Sequence, residues 1–129
     1  MRINYDCIRD ILLCLENSIV YTDNLSFDDV CLQDLYSKLP DYGKQDIAYS
    51  LLMLKEANYI HASIIDADGI IVNVFVSGIT FEGHKYLDTV RSSPIWEETK
   101  KTFKDKAIEM TVDTILLVAK SIIQARLIP

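Results

Sequence analysis

The chain has 129 residues, half of them apolar and a quarter charged, with only four Gly and three Pro. That is the length of one ordinary domain, with enough apolar material for a core without disulfides or metals, and it excludes wholesale disorder. The formal net charge of −6 opposes nucleic acid as a whole-molecule field, because phosphate neutralisation supplies most of a DNA binder's affinity. The balance is uneven: three bases and seven acids in residues 1–40, four and seven in 41–91, six and five in 92–129.

Asn4 is placed to cap a first helix, along which Ile8, Ile11, Leu12, Leu15 and Ile19 recur at a period of 3.6 residues. Residues 21–25 form a polar break. Ser26 to Asp29 then resembles a capping box, opening a second helix that carries Val30, Leu32, Leu35, Tyr36 and Leu39. Pro40 stops it and Asp41–Gly43 makes the turn. Lys44 to Ala57 reads as a third helix, with Ile47, Ala48, Leu51, Leu52 and Leu54 inward and Asn58 as its stop. Two β-rich runs follow, Tyr59–Ile65 and Ile70–Val76, joined by an Asp66–Gly69 turn, and are expected to pair as a β-hairpin. Thr80 caps a fourth helix with Phe81, Tyr86, Leu87 and Val90. Ser93 and Pro94 open a fifth with Ile95, Trp96 and Phe103 as core, and Thr111 opens a sixth. In that last helix Val112, Ile115, Leu116, Ala119, Ile122 and Ile123 form a stripe that Leu117 and Val118 widen beyond one packing face.

This order predicts an α+β, mainly helical fold: a winged helix-turn-helix core of three helices and a β-hairpin over residues 1–91, with additional C-terminal helices over 92–129, within a single domain. Three amphipathic helices can enclose one core while the hairpin buries one face and projects its turn.

Four segments carry a family resemblance: Tyr5–Leu13 (YDCIRDILL), Leu52–Ile60 (LMLKEANYI), Ile79–Asp88 (ITFEGHKYLD) and Ile95–Lys100 (IWEETK). Together, and most distinctively in the run Thr80-x-x-Gly83-His84-x-x-Leu87-Asp88 with Arg91 and Trp96 after it, they resemble a bacterial and phage family, domain of unknown function 2513. The resemblance implies a winged-helix fold, often in a mobile-element setting, and no established activity or catalytic residues. Asn58 stands where the family's "Glu-Ala-Gly" has glycine, a departure that a residue tolerant of positive φ absorbs.

Two functions compete. Fold precedent puts first a DNA-binding transcriptional regulator, with duplex DNA contacted by Lys44, Gln45, Tyr49, Ser50 and Met53 on the third helix, where Gln reads adenine and Lys, Tyr and Ser hold phosphates. The acidic balance and the acids Asp66 and Asp68 in the wing turn favour the alternative, a non-enzymatic protein-protein interaction module on the same scaffold. Lys100, Lys101 and Lys104 form a secondary basic patch, partly neutralised by Glu97, Glu98 and Asp105. Leu117, Val118 and Ile122 are the candidates for self-association, as a homodimer through the last helix. An enzyme is not expected: no nucleophile motif, phosphate loop, metal-ligand spacing or cofactor signature is present, and His84 beside Glu82 is read as structural. Cys7, Cys14 and Cys31 are read as small buried hydrophobes in a reducing cytoplasm. Neither a signal peptide nor a membrane span is expected, the longest apolar run being Ile115–Ala119.

Overall fold

A computed structural model describes residues 1–128. Among them the elements run α1 (Tyr5–Ser18), β1 (Val30–Cys31), α2 (Leu32–Lys38), α3 (Lys44–Glu56), β2 (Ile60–Ala67), β3 (Ile70–Ile79), α4 (Phe81–Val90), α5 (Ser93–Lys106) and α6 (Val112–Leu127). The fold is α+β and mainly helical, with one small antiparallel sheet in the order β1-β3-β2. The chain divides into two compact units, Met1–His84 and Lys85–Pro129, and α4 contributes residues to both.

In the first unit α1 begins where the side chain of Asn4 accepts the Cys7 amide at 3.1 Å, as its spacing suggests. Its buried face, Ile8, Ile11, Leu12 and Leu15, lies against α3 and β3. Ile47, Leu51 and Leu54 of α3 complete that core with Leu35 of α2 and with Val74 and Val76 of β3. Tyr42, in the turn between α2 and α3, donates to Asp10 of α1 at 2.5 Å. Burial first, then the Asp10 carboxylate, pushes the Tyr42 phenol well above its ordinary value.

The second helix departs from its expected start. Val30 and Cys31 form a two-residue strand, with Val30 opposite Val76 and Cys31 opposite Phe75. The helix begins only at Leu32. Its capping box is made by Cys31 and Asp34: the Cys31 amide donates to the Asp34 carboxylate at 3.0 Å and holds its pKa low, with the Cys31 thiol assisting. Ser26 is occupied elsewhere, since its hydroxyl bonds to Asn24 and Thr22 within the preceding loop. A buried β-branched Val30 gains more from the sheet than from an exposed first turn.

The hairpin is present and longer than expected. Eight residue pairs join β2 to β3, from Ile60 opposite Ile79 to Ala67 opposite Ile70. The turn closes on two residues: Asp68 and Gly69 both take positive φ, 53° and 78°, as a type I′ connection requires. Because β1 covers β3 only at Phe75 and Val76, the tip half of the hairpin is a two-stranded ribbon.

The base of the hairpin is tied by an exchange of hydrogen bonds between the end of α3 and the start of α4. Asn58 takes φ 61°, and the amides of Asn58 and Tyr59 turn back onto the carbonyls of Lys55 and Leu54, a Schellman ending. The Tyr59 carbonyl then accepts the Thr80 amide at 2.9 Å, the Asn58 carbonyl accepts the Thr80 hydroxyl at 2.6 Å, and Thr80 Oγ1 accepts the Gly83 amide at 3.0 Å. Gly83 stands so close that a Cβ there would lie 2.1 Å from the Tyr59 carbonyl oxygen and 2.8 Å from Ile79 Cγ2. The Thr80-x-x-Gly83 spacing thus caps a helix and admits a backbone in one move.

In the second unit α5 opens at Ser93-Pro94 and buries Ile95, Trp96, Thr99 and Phe103; α6, capped by the Thr111 side chain, packs on it and buries Ile115 and Ala119. Arg126 of α6 donates to Glu98 of α5 at 2.6 Å. Helix α5 ends on Ala107 in the left-handed region, φ 53°.

Two outcomes follow for stability. Gly83→Ala should cost about 1–3 kcal/mol, the overpacking range, despite alanine's better helix propensity, read as a lower urea midpoint. Ala107→Gly, which removes a Cβ penalty at positive φ, should raise stability by up to about 1 kcal/mol, read as a higher urea midpoint.

Candidate interaction surfaces

Three surfaces carry the residues of interest. The first is the outer side of α3. Lys44 and Gln45 are exposed in its first turn, Tyr49 and Met53 are half-buried, and Asp46 sits among them. Lys44 Nζ lies 5.3 Å from the centre of the Tyr36 ring, so the cation already has an aromatic partner. Ser50 does not belong to this surface. It is 1 % exposed, and its hydroxyl faces the Cys7 thiol across the α1–α3 contact. Serine is small enough to sit on the packing side of a helix, where the spacing of polar residues alone had placed it outward. Burial raises the Cys7 thiol above its usual value, with the Ser50 hydroxyl acting the other way.

The second is the hairpin. The sequence has no Lys or Arg between Lys55 and Lys85. The turn acids Asp66 and Asp68 are exposed, and around them the ribbon presents Ile64, Ile65, Ile70, Ile71, Val72 and Phe75 to solvent, with Ile70 68 % exposed. Only Val74, Val76 and Ile60 are fully buried along it. An aliphatic ribbon flanked by acids was not singled out from the sequence. The signals that reveal it are the cation gap and the run Ile70-Ile71-Val72 directly after the turn, where a solvated strand would alternate with polar residues.

The third surface belongs to the second unit. Lys101 and Lys104 are exposed on α5, whereas Lys100 is half-buried, 3.4 Å from Glu97 and 5.8 Å from the Trp96 ring centre. The basic patch is therefore two outward lysines and one engaged one. On α6 Leu117 is 67 % exposed, while Val118 and Ile122 are half-buried, so one of the three apolar self-association candidates faces solvent openly. Phe81 of α4, in the first unit, is exposed.

His84 is half-exposed, its Nδ1 4.0 Å from the Glu16 carboxylate. The three cysteines are free. Among the described residues no three His, Cys, Asp or Glu side chains are grouped to hold a metal ion, and no helix is long and apolar enough to cross a membrane.

A relative from Haemophilus influenzae, described as an uncharacterized protein, is 30 % identical over 132 residues, covering 98 % of this chain and 99 % of its own length. No solved structure matches. The family model described as Hypothetical protein (DUF2513) matches residues 2–109, which span α1 to the end of α5 and include the Thr80–Gly83 tie and the whole hairpin, and the chain belongs to that family.

Proposed function

We propose that the first unit is a winged helix-turn-helix that works as a non-catalytic protein-interaction module, with the hairpin as its contact element. The chain order α1-β1-α2-α3-β2-β3, with β3 central in the sheet, is the order of a winged helix. In that scaffold the third helix and the wing are the surfaces offered to a partner. A wing that serves DNA touches the phosphate backbone and needs cations to do so. This one supports another use: its exposed side chains are aliphatic, its turn is acidic, and no Lys or Arg lies between Lys55 and Lys85. Exposed contiguous aliphatics flanked by charge are characteristic of protein contact sites. That observation carries the reading.

One observation favours duplex DNA as a second reading. Lys44 and Gln45 are both exposed at the amino end of α3, the end that enters a major groove in helix-turn-helix proteins. The neighbouring Asp46 and the acidic wing act against it.

The two readings separate in one experiment on the intact chain. The protein-module reading expects no affinity for a labelled mixed-sequence duplex at low salt. It also expects a partner retained from the cell that encodes the protein by the wild type and by Lys44→Glu, and lost by the double variant Ile70→Asp, Val72→Asp. Duplex binding at low salt that falls with Lys44→Glu or Gln45→Ala would overturn it in favour of DNA.

A further inference from the structure

We infer that the hairpin captures its partner by strand addition: an extended, β-branched, positively charged segment of another protein pairs with the free edge of β2 between Ala62 and Ile65. This rests on the protein-module reading and specifies its partner and mode.

The edge is open by topology, since β3 is central and β2 is outermost. An outermost strand presents a row of backbone donors and acceptors, and proteins usually blunt such edges with lysine, proline or strong twisting. β2, Ile-His-Ala-Ser-Ile-Ile-Asp-Ala, contains neither lysine nor proline. Its two irregularities fall between His61 and Ala62 and between Ile65 and Asp66, so they bracket a regular stretch of four residues rather than interrupt it. At the base the His61 carbonyl accepts the Ser77 hydroxyl of β3 at 3.3 Å, at the first of these irregularities, and the regular stretch starts at Ala62. Within the stretch Ser63, Ile64 and Ile65 are exposed.

Backbone pairing supplies affinity in this mode, and side chains beside the added strand supply selectivity. By register Ser63 and Phe75 share one face and Ile64 and the buried Val74 the other, so an added strand would meet the partly exposed Phe75 on one face and the partly exposed Ile64 on the other. Charge then selects the occupant. Asp66 and Asp68 stand just beyond the stretch, and no Lys or Arg lies between Lys55 and Lys85 to offset them. The complement is a segment carrying Lys or Arg at the end that lies toward the turn. A second copy of this chain is a poor complement, because its net charge of −6 is repelled by the same field.

The test is selection of a random dodecapeptide library on the intact chain, followed by amide mapping of the best synthetic peptides on the isotopically labelled protein. The expected peptides alternate β-branched residues and carry net positive charge, and the amides that gain protection lie within Ala62–Ile65. Ile65→Lys should weaken them at least tenfold with an unchanged melting curve. Asp66→Asn with Asp68→Asn, which the left-handed Asp68 position tolerates, should weaken them several-fold and flatten the salt dependence. Should Ile65→Lys unfold the chain, the Asn pair and the amide map still decide. Peptides that are acidic or helical, or whose footprint lies on α3 or α6, would overturn strand addition while leaving a protein-binding module standing. Concentration-dependent protection of β2 in the protein alone would also overturn it, with a second copy as the occupant. No enrichment at all, together with duplex binding that depends on Lys44, would bring down both.

Discussion

The architecture of the first unit depends on one crowded point, the carbonyl of Tyr59. It leaves the Schellman ending of α3, accepts the Thr80 amide, and sits where the Cβ of any residue but glycine at position 83 would be. The consequences radiate from there. Asn58 must take a positive φ for α3 to stop in time, Ile60 and Ile79 must pair directly, and α4 must begin at Phe81 with Thr80 as its cap. A helix end, a hairpin base and a helix start are thus joined by a few backbone groups. Each of those groups is satisfied, which is the condition for burying backbone at all.

That tie gives the hairpin a firm root and leaves its far half free. Val74 and Val76 belong to the core beneath α1, whereas Ile70, Ile71 and Val72 rise beyond the reach of β1 on a two-stranded ribbon. Two-stranded ribbons are marginal in water without further packing. A rooted ribbon with an aliphatic, anionic tip and an unblunted edge leaves apolar surface in water, and the proposed protein partner is what would cover it. A nucleic-acid wing built on the same root would need the opposite charge.

Much of the backbone was legible because short-range chemistry decides it. Asn4, Thr80, Pro94 and Thr111 open α1, α4, α5 and α6 as their side chains allow, and Asp68-Gly69 admits only a tight hairpin turn. What escaped was decided at a distance. Val30 sits in a helical-looking periodicity yet is claimed by Val76, 46 positions away in sequence, so β1 replaces the first turn of α2. Ser50 is polar yet packs inward beside Cys7. The proposed contact element was hidden for a related reason: Tyr59–Ile65 and Ile70–Val76 read as β-rich runs of a hairpin that buries one face, and only the three-dimensional placement shows that Ile70, Ile71 and Val72 lie past the end of β1 and stay exposed. The family pattern Thr-x-x-Gly was visible in the sequence, but its cause, the approach of Tyr59, is a three-dimensional fact.

The most direct check is residue-resolved amide hydrogen exchange across positions 58–84 of the free protein. A rooted hairpin gives the slowest exchange at Val74 to Val76 and at Thr80 and Gly83, with protection falling stepwise toward Asp68 and Gly69. Uniformly fast exchange from Ile60 to Ile79, or protection that is greatest at the turn and absent at Thr80 and Gly83, would contradict the account at its base.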